Sequence, residues 1–119
     1  MASIRENLNH GLYTTHLPYP DKPRKPVLKS GATSKEAREY ADALAAWELG
    51  QEDFQAQRRA YYEDVNRLEN QFREDLLAEL GVADHPKAHV LWLKAWEQGH
   101  GSGLAEVLNV AEDLVDLLL

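Results

Sequence analysis

The chain has 119 residues, 44% of them hydrophobic and 28% charged, with thirteen lysines and arginines against twenty acids for a net charge of −7. That size accommodates one domain with one modest core, and the mix is that of a globular chain rather than a disordered one. Cysteine is absent, which excludes disulfides, thiolate catalysis and cysteine-ligated zinc or iron–sulfur centres.

No apolar stretch approaches the roughly 18 residues that a membrane span needs. The N-terminal MASIRENLNHG carries charges where a signal peptide would carry its apolar segment. The expectation is a soluble protein of a reducing compartment, with no membrane partner. The charge is unevenly placed. Residues 1–33 hold five basic and two acidic residues, a balance of +3, and residues 34–119 hold eight basic and eighteen acidic, a balance of −10. A basic arm (1–32) therefore precedes an acidic body (33–119), and each can attract partners of the opposite sign, or the other.

Four of the five prolines, Pro18, Pro20, Pro23 and Pro26, fall in LPYPDKPRKP. Proline removes backbone donors and holds its predecessor extended, so the arm is expected to be neither helix nor central strand. In polyproline II geometry, which repeats every three residues, Pro20, Pro23 and Pro26 share one edge. Such an edge suits an aromatic-lined groove. It is either a partner surface or a strip that packs on this chain's own Tyr and Trp rings.

From Thr33 to Leu80 there is no proline, and Thr33-Ser34-Lys35-Glu36 has the form of a capping box. One long helix is expected over about 34–80, closed by Gly81. Tyr40, Trp47, Phe54, Tyr61 and Leu68 recur every seven residues, and Leu44, Val65 and Phe72 add a second row. This is a heptad seam, with Gln51 and Arg58 as polar interruptions. Near its end the phase moves to Leu76, Leu77 and Leu80, which predicts a different packing partner for the last turns. Gly50 is the weak point, costing about 1 kcal/mol relative to alanine in a helix interior. An unbroken helix of this length would run about 70 Å at 1.5 Å per residue. A compact chain of this size has a radius of gyration of about 13–14 Å. Either the helix breaks near Gly50, or the protein is elongated and covers its seam with a second copy as a homodimer.

Two shorter helices are expected after it. The first, over about 86–98, has Pro86 in its opening turn and Ala88, Leu91, Trp92 and Ala95 on one face. The second, over about 103–118, carries an apolar stripe from Leu104 to Leu118 and a wet side of Glu106, Glu112, Asp113 and Asp116. No segment shows period-two alternation, so the fold class is all-α.

Few residues suggest chemistry. His85 and His89 stand four apart, with His100 and Glu97 one helix away, but His85 precedes Pro86 and is expected outside the helix, so metal binding is not assigned. Gly99-His100-Gly101-Ser102-Gly103 has no Lys-Ser/Thr ending of a phosphate-binding loop and reads as a flexible link between helices. The serines lack a nucleophile-elbow context, and the paired acids of the long helix read as solvated surface. No catalytic residue and no cofactor are expected. A body at −10 repels phosphates, so direct nucleic-acid binding is not expected either. Glu112, Asp113 and Asp116 instead form a candidate protein-facing surface or, alternatively, part of an acidic nucleic-acid mimic.

The arm LPYPDKPRKP, the link GVADHPKA and the tail AWEQGHGSGLAEVLNVAEDLVDLL together resemble a group of small tailed-bacteriophage and prophage proteins. The resemblance implies synthesis in the bacterial cytoplasm during infection and supplies no catalytic residue. The functional expectation is a non-enzymatic interaction factor that binds and modulates, by inhibition, a host or phage protein. A minor structural or assembly role in the virion is the alternative.

Overall fold

A computed structural model describes residues 3–118. Four α-helices follow in order: α1 (Ile4–Asn9), α2 (Ser34–Glu79), α3 (Ala88–Gly99) and α4 (Leu104–Leu118). A 3₁₀ turn at His100–Ser102 joins the last two. The described residues contain no strand, and the all-α class holds. No described helix is long and apolar enough to cross a membrane.

The chain divides into two compact units, Met1–Thr15 with Val65–Leu119, and His16–Asp64. The expected junction between arm (1–32) and body (33–119) lies inside the second of these units. Residues 3–15 belong with the C-terminal helices because Ile4 and Tyr13 are apolar anchors in that core. Nor is the whole N-terminal segment extended. Residues 4–9 are helical, capped by the Ser3 hydroxyl, which accepts from the Glu6 N–H at 3.2 Å. Gly11, at φ 70°, ends the helix. The Leu12 N–H reaches the Asn7 carbonyl and the Gly11 N–H reaches the Leu8 carbonyl, the paired bonds of a Schellman closure.

Helix α2 begins where the capping box predicts. The Thr33 hydroxyl accepts from the Glu36 N–H at 3.2 Å and donates to the Glu36 carboxylate at 3.1 Å. The helix continues through Gly50 without a break. It closes on Gly81, at φ 72°, with the same Schellman pair, Val82 N–H to Leu77 and Gly81 N–H to Ala78. Glycine suits this position because the left-handed conformation is strained for residues with a Cβ.

The core of the first unit gathers Ile4 and Tyr13 with Phe72 and Leu76 of α2, Trp92 and Ala95 of α3, and Val107, Leu108 and Ala111 of α4. Phe72, Leu76, Leu91, Val107 and Leu108 are fully buried. The phase shift at the end of α2 thus has its partner: Leu76 faces the α3–α4 hairpin. An aromatic chain crosses this core. Tyr13 meets Phe72 edge-on at 5.2 Å, Phe72 meets Trp92 at 6.0 Å, and Trp92 meets Trp96 at 5.4 Å.

Candidate functional site

The second unit is an extended segment laid on a helix. Proline keeps residues 16–29 out of helix and sheet, and this strip runs antiparallel to α2, from Tyr61 back to Tyr40. Tyr19 packs edge-on against Tyr61 at 5.2 Å and against Tyr62 at 6.2 Å. Farther along, the Trp47 indole N–H donates to the Pro23 carbonyl at 3.4 Å, and the Lys25 ammonium lies 5.4 Å from the Trp47 ring centre. Residues 26–29 then share a shallow groove with Glu36, Glu39, Tyr40 and Ala43.

The two repeats fit each other dimensionally. Three residues of polyproline II advance about 9.3 Å, and seven residues of α-helix advance about 10.5 Å. A proline every third residue therefore keeps near step with an aromatic every seventh. Over the whole contact, nine strip residues at about 3.1 Å each cover about 28 Å, against about 32 Å of helix between Tyr40 and Tyr61. The seven-residue spacing read as a coiled-coil seam is here the spacing that receives the chain's own arm.

The eight seam residues accordingly divide between two environments. Phe54 is buried within the second unit, and Tyr40, Leu44, Trp47 and Tyr61 are half-buried. Leu68 and Phe72 are buried and Val65 half-buried in the first unit. Of the two expectations for the proline edge, a partner surface or packing on the chain's own rings, the single chain shows the second: Pro20 is buried, and Pro23 and Pro26 are half-buried. The physical reason is proximity. A tethered strip finds the aromatic rings of its own helix at an effective concentration that a separate ligand must exceed.

The acidic trio lies on the exposed side of α4. Glu112 is engaged by Arg5, whose Nη2 donates to its carboxylate at 2.7 Å and to the Asn109 side-chain oxygen at 2.9 Å. Asp113 and Asp116 face solvent. On the same hairpin, Val90 and Leu93 of α3 are 45% and 50% exposed, and Leu117 of α4 is 79% exposed.

The histidines do not converge. Helix α3 starts at Ala88, so His85 lies outside it, and its Nδ1 accepts from the Lys87 N–H at 3.0 Å. His85 and His89 do line one open cleft of about 390 Å³, with Arg73, Glu74, Leu77 and Pro86 among its walls. His100 is stacked on Trp96 with the rings 8° apart, and its Nδ1 lies 2.5 Å from the Trp96 carbonyl. A carbonyl can only accept, so that nitrogen carries the proton. Among the described residues, no three His, Asp or Glu side chains form a group that could hold a metal. The glycines of the 99–103 turn serve the hairpin, Gly99 by close approach to α4 and Gly103 by its φ of 107°.

Sequence reasoning passed over three residues that organise these surfaces. Tyr13, Tyr19 and Lys25 lie in the N-terminal segment, where proline dominates the pattern. Two aromatics and a cation beside a proline strip were the available signal. A family model matches residues 2–119. The chain belongs to DUF8546, a family of unknown function. The match takes in both units of the DUF8546 chain, the arm included. No curated protein and no solved structure matches it.

Proposed function

We propose that the protein is a non-enzymatic interaction factor that docks on another protein through the outer face of its α3–α4 hairpin. The observation that carries this reading is the set of large apolar side chains left in solvent there. Val90 and Leu93 stand three residues apart on one face of α3, and Leu117 of α4 is exposed one residue after Asp116 and four after Asp113, both exposed too. Apolar anchors ringed by charge are the usual composition of a protein-binding patch. The resemblance to small phage and prophage proteins supplies the setting: the bacterial cytoplasm during infection, with a host or phage protein as the target that binding inhibits. No cofactor enters this reading.

The test is affinity capture from infected cells with the full chain and with a Val90→Asp/Leu93→Asp/Leu117→Asp variant, each checked for helicity. The reading expects one protein captured by the native chain and lost by the folded variant. Equal capture by both chains would overturn it. Recovery of the protein in purified particles would point instead to a structural role in the virion.

A further inference from the structure

We infer that the aromatic face of α2 is a binding surface for the N-terminal arm of a second copy, so that the protein can form a dimer by exchanging residues 1–29. This goes beyond the hairpin docking reading and stands independently of it.

The arm is its own evidence for what the surface accepts. Tyr19 on Tyr61, the Pro23 carbonyl on the Trp47 indole, and Lys25 over the Trp47 ring make a matched set of contacts for a proline-rich, basic strip. A second copy carries the identical strip. The contacts of the preceding residues also reach far along the chain: Tyr13 to Phe72 and Asp75, Ile4 to Glu79, Arg5 to Glu112. Each joins the N-terminal segment to a residue beyond the turn at Ser30–Gly31, so each can be remade unchanged between two chains. Exchange of an identical element is a low-cost route to a dimer for this reason.

The turn supplies the hinge. Gly31 holds φ at 77°, and a Cβ built there meets nothing within 4 Å. The position is open, and only its backbone conformation constrains the residue. That left-handed conformation is needed where the strip folds back on its own helix. A hinge extended toward a second copy is free of it. A β-branched residue at position 31 therefore penalises the closed chain selectively, and the relief counts twice per dimer.

The experiment uses the full chain, whose lack of native cysteine makes crosslinks unambiguous. A Cβ at Gly50 lies 3.9 Å from the Pro23 ring, so Pro23→Cys/Gly50→Cys places two thiols across the arm–helix contact. Light scattering with size exclusion measures association of the native chain and of Gly31→Val. Non-reducing electrophoresis of the double-cysteine chain, in both backgrounds, then reports which chain supplies the arm. The expected result is at least a tenfold rise in dimer association for Gly31→Val, with the dimer fraction crosslinked between chains and the monomer fraction within one. Monomer alone at millimolar concentration in both backgrounds would overturn the inference. So would a dimer whose crosslinks are all intrachain, because that dimer joins through another face. If Gly31→Val fails to fold, the double-cysteine chain with the native hinge, refolded at millimolar concentration, decides between the same two outcomes. Binding of an added peptide of residues 16–29 without exchange between whole chains would also overturn it, in favour of a peptide site.

Discussion

Gly99 and Val107 bring α3 and α4 into backbone contact: a Cβ built on Gly99 falls 2.7 Å from both the Cα and the N of Val107. It also falls 2.9 Å from the Glu106 carbonyl carbon. Real Cβ atoms do not tolerate such distances, and the obstructing atoms are main chain, which cannot swing aside. The glycine is what lets the hairpin close with Val107 fully buried.

Gly99→Ala should therefore force the two helices apart. The expected loss is about 1–3 kcal/mol, the range of a small overpacking insertion, offset only slightly by better helix propensity. Urea denaturation followed by circular dichroism measures it. An unchanged midpoint would show that the hairpin does not need this approach.

Gly50 predicts the opposite sign. It lies inside α2 with ordinary helical geometry, and a Cβ there would touch the Pro23 ring at 3.9 Å, a normal contact. Gly50→Ala should stabilise by about 0.5–1 kcal/mol through reduced unfolded-state freedom. The same titration reads it, and the two glycine variants serve as mutual controls.

Tyr13 gives the protein an alkaline limit. Burial, followed by the hydrogen bond that its hydroxyl donates to Asp75 at 2.6 Å, raises its pKa from 10 to about 12. A pKa raised on folding favours the protonated phenol in the native state. Its contribution is complete below about pH 10 and is lost as pH rises through about 12. Tyr13→Phe should cost stability at pH 7, because Asp75 and Asn7 each lose a partner, by about 1–2 kcal/mol. The gap between native and variant should narrow between pH 10 and 12, as measured by thermal melts across that window.

Thr33 should hold the start of α2. Its hydroxyl serves the Glu36 N–H and the Glu36 carboxylate together. Thr33→Ala should cost about 1 kcal/mol, and Thr33→Asp should restore most of the loss, since aspartate caps the same donor. Amide hydrogen exchange over residues 34–37 gives the local readout.

Helices α2, α3 and α4 were legible in the sequence because their signals are local, whereas the short α1 was hidden in a segment read as extended. The Thr33–Glu36 cap, the proline-free run to Leu80, Gly81 at the end, and the apolar stripes of the last two helices depend on residues a few positions apart. The phase shift at Leu76 even announced a change of partner. What local pattern could not determine was which surface each stripe meets, since burial is set by residues distant in the chain. A seven-residue aromatic spacing serves a second helix or a polyproline strip equally well, because the two repeats advance by nearly the same length. Within the single chain the tertiary structure brings the strip to this face, with the Trp47 indole donating to the Pro23 carbonyl and Pro20 buried. It likewise drew Ile4 and Tyr13 away from the arm and into the core with Phe72, where the gain from removing apolar surface from water outweighs the proximity of the prolines.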